Sequence, residues 1–147
     1  TGKPAQQRTP MRTALAHLVQ TPSLAAELPD LTAFEGCDLP GIEILLELVD
    51  FCSRSPNMTT AQVLELWHDH PAHSWLDQMA TWQFPGDEER LAQEFRDAVS
   101  SLELQWLEMR KNRLPKIVEQ TPEQKEKYRM LDKRIAELKT RRGEAET

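Results

Sequence analysis

The chain has 147 residues and a formal net charge of −6, enough for one ordinary domain or a domain with an appendage. Leu and Ala are abundant, Gly is scarce (5) and runs of β-branched residues are absent, so the composition predicts an all-α protein. The first 86 residues hold 4 Lys+Arg against 10 Asp+Glu, and the remainder holds 14 of each. Neither half is basic, so binding of duplex DNA through phosphate neutralisation is not expected.

Cysteine spacing and hydropathy indicate the cellular compartment in which the protein is expected. Cys37 and Cys52 show no framework spacing, which favours reduced thiols. No signal peptide and no apolar run near the ~20 residues that span a bilayer are visible, so we expect a cytoplasmic protein. The polar residues 1–8 predict a linker remnant in front of a domain cut from a longer protein.

Five short helices are predicted before residue 86. Thr9-Pro10 and Thr21-Pro22 each combine an N-cap residue with proline at the first helical position. IEILLELVDFC is the most apolar stretch and predicts the central core helix. Thr59 and Gln62 match a capping box for a fourth helix. A fifth helix is predicted to carry four large apolar side chains, namely Trp75, Leu76, Met79 and Trp82.

The longest helix is predicted from Asp87 to Arg113. Its apolar residues recur in steps of three and four, and no Gly or Pro interrupts it, so it should form a rod of ~40 Å. Pro115 removes a backbone hydrogen bond and clashes with the carbonyl of Lys111, so the rod should kink or end near Asn112.

A last helix is predicted from Pro122 to about Arg142. Thr121 and Gln124 flank Pro122 in a strong helix-start signal. The rod and this helix form a hairpin too small to be robust alone, which leaves two alternatives: it docks on the bundle, or another protein completes its seam. The predicted units are a bundle over 9–105, a helical hairpin over 106–142 and a frayed tail over 143–147.

No residue pattern indicates catalysis. There is no nucleophile motif, no phosphate-binding Gly loop and no carboxylate cluster, so this chain is expected not to be an enzyme. Three histidines within HDHPAH invite a zinc interpretation, but Pro71 divides them and no fourth ligand is suggested. We therefore predict a polar turn there and no metal site, with a small metal-dependent enzyme as the minor alternative.

The stretches TPMRTALAHLVQTPSLAAEL, LPGIEILLELVDFC, MTTAQVLELW and LDQMATW resemble the C-terminal domain of bacterial DnaG-type DNA primases, most nearly the gammaproteobacterial branch. The resemblance implies a helical bundle, a long connecting helix and a C-terminal hairpin that binds the N-terminal domains of the hexameric DnaB-type replicative helicase. It implies no cofactor in this domain, since zinc and magnesium would act in upstream domains, and no strong direct nucleic-acid binding. The alternative is the N-terminal domain of a replicative helicase, which shares the bundle fold.

The resemblance also implies two binding sites. The last helix would offer the helicase its apolar stripe with two basic neighbours: Tyr128, Leu131, Lys133, Arg134, Ile135 and Leu138. A second site would receive the acidic tail of single-stranded-DNA-binding protein at the start of the first helix: Arg8, Thr9, Met11, Arg12, Leu15 and Met79. From spacing alone, the basic and apolar groups at that helix start fit either an acidic peptide or an ordinary solvated turn.

Overall fold

The computed structural model describes residues 8–28, 31–55 and 57–146, with side chains described through residue 141. Within these ranges six α-helices run in order: α1 (Pro10–Gln20), α2 (Ile42–Arg54), α3 (Thr60–Leu66), α4 (His73–Met79), α5 (Glu88–Asn112) and α6 (Pro122–Glu146). Three short 3-10 helices span Pro22–Glu27, Thr32–Phe34 and Ile117–Glu119. The described residues contain no strand, and the all-α prediction is confirmed. No helix in these ranges is long and apolar enough to cross a bilayer.

Local capping chemistry explains most helix starts. The Thr9 hydroxyl accepts a hydrogen bond from the backbone N–H of Arg12, and Thr59 and Gln62 form the predicted capping box. Thr21 differs, because its side chain makes no capping bond and the segment after it is a 3-10 helix, not the predicted α-helix. The fifth predicted helix is also shorter than expected, since α4 ends at Met79 and Trp82 lies beyond it. Of the predicted linker over 1–8, only Arg8 lies among the described residues.

The chain divides into two compact units, one up to Val99 and one from Ser100 onward. In the first, α1 contacts α2, α3, α4 and the 3-10 helix Pro22–Glu27. The prediction that α2 is the central helix is therefore wrong. Seven of the eleven residues of α1 are buried, and its small alanines let neighbours approach on more than one side.

Gly41 shows how closely α1 is approached. Its φ of 89° is left-handed, and a Cβ built there would lie 2.9 Å from Met11 Cγ. Glycine satisfies both the backbone and the space at the start of α2.

The second unit is the helical hairpin. A buried apolar cluster joins α5 to α6, and the partly buried Leu114 packs on it; its members are Leu104, Leu107, Leu131, Ile135 and Leu138. Leu104 already belongs to this cluster, so the hairpin begins before the boundary predicted between 105 and 106. At its other end α6 continues through Gly143 to Glu146, past the predicted end near Arg142.

Two adjacent residues of α6 test which face holds the hairpin together. Leu131 is 7% exposed and Met130 is 62% exposed. We expect Leu131→Ala to cost about 2–4 kcal/mol of hairpin stability through lost apolar burial and a cavity, and Met130→Ala to change it by less than ~0.5 kcal/mol. Amide hydrogen exchange along α6 measures the difference. Equal loss of protection in both variants would contradict the assignment of Leu131 to the buried contact between α5 and α6.

Candidate functional site

Charged pairs flank the apolar cluster of the hairpin. The Arg134 guanidinium donates from Nε and Nη2 to the two carboxylate oxygens of Glu103, both at 3.1 Å. This hydrogen bonding raises the pKa of Arg134. Lys111 Nζ donates to Asp132 at 2.6 Å and lies 4.9 Å from the centroid of the Tyr128 ring. A two-point bond of this kind is directional, so these pairs hold α6 in one register against α5.

The predicted helicase-binding residues do not share one surface. Leu131, Ile135 and Leu138 are buried between the two helices at 7%, 6% and 1% exposure, where the sequence had predicted that they face a partner. Tyr128 and Arg134 are half-buried and engaged within the hairpin, and of the six predicted residues only Lys133 is exposed. The apolar stripe of α6 is thus buried against α5 within the hairpin.

Exposed apolar groups occur instead at the hairpin tip. Ile117 and Val118 are 59% and 90% exposed on the 3-10 helix between α5 and α6. The buried side chain of Gln120 donates to the carbonyl of Pro115 at 2.9 Å, which closes the turn beneath them. Thr121 and Gln124 complete a reciprocal capping box immediately afterwards. The tip therefore holds two apolar side chains in solvent on a hydrogen-bonded backbone.

The outer face of α6 carries an open groove of about 350 Å³. Met130 is its exposed apolar member. Charged side chains line the rest, namely Glu126, Arg129, Lys133, Arg134 and Glu137. Most of these charges form ion pairs, and Lys133 is in none of the pairs found among the described residues. The groove offers a partner one apolar side chain with a basic group beside it.

The start of α1 brings the second predicted set together. Met11 is 7% exposed, and Leu15 and Met79 are fully buried, so they form apolar packing under the surface. Arg8 is exposed and Arg12 is half-buried, while the Thr9 hydroxyl already caps the helix. The structure therefore places the two arginines at the surface, above buried apolar side chains.

Arg8 is held by an aromatic layer that the sequence did not reveal. Its guanidinium lies 5.2 Å from the Trp82 ring centroid and 5.1 Å from that of Phe84, and it donates to the carbonyl of Gln83 at 3.1 Å. Phe84 in turn stacks on His17, with ring centroids 3.8 Å apart. No local pattern signals this layer, because the residues are far apart along the chain.

His17 is a buried titratable group in the bundle. It is 2% exposed, and its Nε2 lies 3.2 Å from Oε1 of Glu94. Burial lowers the pKa of His17, the nearby Glu94 carboxylate opposes that shift, and Arg8 adds to it. The net direction is downward, so the neutral imidazole is favoured in the fold.

The HDHPAH segment forms a turn. His70 Nδ1 accepts from the backbone N–H of Ala72 at 3.0 Å, and His73 Nδ1 lies 3.1 Å from the carbonyl oxygen of His70. Across the described part of the chain, no group of three or more His, Cys, Asp or Glu is placed to hold a metal ion. Burial raises the pKa of the Cys52 thiol to about 11, so that cysteine is not activated as a nucleophile.

The architecture defines a class, that of all-helical domains with a bundle and a C-terminal hairpin. Residues 11–131 match the family model described as DNA primase DnaG DnaB-binding. The chain belongs to this DnaB-binding family of DnaG-type primase domains. The family resemblance found in the sequence is confirmed, and the alternative of a helicase N-terminal domain is not supported.

Known proteins agree with this assignment. The DNA primase of Pasteurella multocida is 31% identical over 102 residues, covering 69% of this chain and 18% of that protein. The DNA primase of Salmonella typhimurium is 32% identical over 111 residues, covering 76% and 19%. The chain thus spans about a fifth of the length of these relatives. The solved C-terminal domain of DnaG primase from Vibrio cholerae is similar with a TM-score of 0.69 and 31% identity, over 84% of this chain and 96% of that one.

The buried imidazole makes stability depend on pH. Because the pKa of His17 is lowered in the fold, the unfolded chain binds more protons once the pH falls below about 6.5. We expect the contribution of His17 to the free energy of unfolding to be at its maximum above that pH. The free energy of unfolding should decrease as the pH falls toward the pKa of His17 in the folded state. Denaturant unfolding at pH 7.5 and pH 5.5 measures this, with His17→Phe as the comparison. An equal slope in both proteins would show that other groups cause it.

Proposed function

We propose that this domain docks a DNA primase onto the hexameric DnaB-type replicative helicase and performs no catalysis itself. The match of residues 11–131 to the DnaB-binding family supports the proposal. In this proposal the parent chain is a nucleotidyltransferase that makes RNA primers at the cytoplasmic replication fork, with its zinc and magnesium in other domains. Strong direct nucleic-acid binding by this domain is not proposed, because the chain as a whole carries a net charge of −6.

We place the helicase contact on the exposed residues of the hairpin. The apolar stripe of α6 is occupied by α5, so a partner meets the tip and the outer groove. Ile117 and Val118 at the tip and Met130 in the groove supply apolar area that water now covers. Lys133 beside Met130 supplies a positive charge that orients an approaching partner.

The expected energetics follow from this division. Interfaces concentrate affinity in a few anchors that become fully desolvated, each worth ~2 kcal/mol or more on truncation. Val118 has the most area to lose because it is 90% exposed. Substitutions of the residues buried between α5 and α6 would affect helicase binding only by unfolding the hairpin. They would not remove a direct contact with the helicase.

Val118→Asp tests the tip directly. Because the side chain is exposed in the free domain, we expect folding to be retained and helicase affinity to fall at least about tenfold, as a charge replaces an apolar anchor. Calorimetric titration against the cognate helicase N-terminal domain measures the change.

Leu66→Asp is the matched control. Leu66 is another large exposed apolar residue, at 55%, and it ends α3 in the first unit. We expect this variant to bind the helicase normally. If both variants bind normally, the tip is not the contact, whereas if both lose binding, the effect is not specific to the hairpin.

We further propose that the start of α1 receives the acidic C-terminal tail of single-stranded-DNA-binding protein. Arg8 and Arg12 provide two cations for carboxylates at the start of α1, where Met11 is buried beneath the surface. Arg8 is already oriented by Trp82, Phe84 and the Gln83 carbonyl, so it loses little side-chain freedom on binding. A guanidinium retains further donors for a carboxylate while it is stacked in this way.

Arg12→Glu tests this second site. We expect the affinity for a tail peptide to fall about tenfold or more, since a like charge faces the peptide, and helicase binding to stay unchanged. Fluorescence anisotropy of a labelled peptide at two salt concentrations measures affinity and its electrostatic share. Arg54→Glu, an exposed arginine on α2, is the matched control. Equal loss in both variants would indicate a general charge effect in place of a site.

A further inference from the structure

A continuous stack of groups connects the surface of the first unit to its interior. The Arg8 guanidinium lies over Phe84 with 5.1 Å to the ring centroid, and Phe84 stacks on His17 at 3.8 Å and 21° between planes. His17 Nε2 reaches the Glu94 carboxylate at 3.2 Å. The order along the stack is cation, aromatic ring, imidazole and carboxylate, and the imidazole is the buried member, at 2% exposure against 38% for the Glu94 side chain.

The two ends of this stack have opposite effects on the imidazole. Glu94 on α5, whose carboxylate lies 3.2 Å from Nε2, favours the charged form of the imidazole, and Arg8 before α1 disfavours it. Phe84 contributes no charge but lies between Arg8 and His17, with its ring in contact with both groups. Glu94 and Arg8 are the charged groups that act on His17 from the elements packed around it.

We infer that an acidic ligand bound at Arg8 promotes protonation of the buried His17 imidazole. A carboxylate that pairs with the guanidinium cancels the positive charge that opposes a second cation on the far side of Phe84. The Glu94 carboxylate lies 3.2 Å from Nε2, within ion-pair distance of the new charge. This inference rests on the proposed tail-binding function and adds a proton to that binding reaction.

Linkage fixes the sign of the effect. If the ligand favours the protonated imidazole, the protonated domain must bind the ligand more tightly by the same factor. Tail affinity then rises as the pH falls from 7.5 toward the folded-state pKa of His17, and a fraction of a proton is taken up on binding near that pKa. Phe84 is a positioning residue in this arrangement, because it touches both Arg8 and His17 and sets the distance between them.

The first test needs no ligand. Arg8→Gln removes the charge from the end of the stack, and we expect the pKa of His17 to rise, as followed by NMR titration of the imidazole carbons in the whole domain. Arg54→Gln removes an equal charge from an exposed ion pair on α2 and should leave the pKa of His17 unchanged. An unchanged His17 titration in Arg8→Gln would overturn the inference.

The second test measures the linkage itself with an acidic tail peptide. Wild-type affinity is expected to increase about twofold at constant salt as the pH falls from 7.5 to below the pKa that the first test measures for His17, which corresponds to a ligand-induced pKa change of ~0.3. His17→Phe keeps an aromatic ring on Phe84 but cannot titrate, so its affinity should be flatter with pH. The exposed and half-buried histidines of HDHPAH remain in both proteins, which removes their contribution from the comparison.

The outcomes separate this inference from the proposed function. If the peptide binds with the same pH dependence in wild type and His17→Phe, the linkage is wrong while tail binding stands. If no peptide binds at any pH, the proposed tail site is wrong, and the Arg8→Gln titration alone decides whether the stack transmits charge. If His17→Phe does not fold, Phe84→Leu serves instead, since loss of the stack should weaken the pH dependence.

Discussion

The apolar seam between the rear of α5 and α6 is the contact on which the hairpin depends. An isolated helix is marginal in water without a packed apolar face, and α6 is otherwise almost entirely polar. Three buried side chains of α6, Leu131, Ile135 and Leu138, meet the leucines of α5. The ion pair of Arg134 with Glu103 then restricts how the helices slide. Because this contact buries the stripe, the large exposed apolar side chains described in the hairpin lie at the tip and in the outer groove.

Helix spans were predictable wherever local chemistry determined them. The capping pairs Thr59–Gln62 and Thr121–Gln124 have the hydrogen bonds that their spacing predicts. The uninterrupted pattern of α5 predicted its 25 residues to within one residue at each end. The prediction that Thr21 caps the second helix is wrong. The backbone of Thr21, at φ −137° and ψ 78°, does not bring its side chain onto the next turn.

Position in the core was less predictable than helical spans. Periodicity shows which face of a helix is apolar but does not show what covers it. The high hydrophobicity of α2 therefore suggested a central place, whereas α1 contacts more neighbours. The stripe of α6 suggested a partner-binding face for the same reason. Ile117 and Val118 gave no periodic signal, since they lie on a short turn, and the stack of Arg8 on Phe84 joins residues far apart in sequence.

The closed turn beneath the hairpin tip has a thermodynamic consequence. Gln120 holds the Pro115 carbonyl and Thr121 starts α6 at once, so the backbone that presents Val118 is ordered before any partner arrives. A segment that is already ordered contributes little conformational entropy loss on association. The proposed docking at this tip would therefore be a meeting of rigid bodies, with a heat-capacity change set by the area covered and no additional signature of coupled folding.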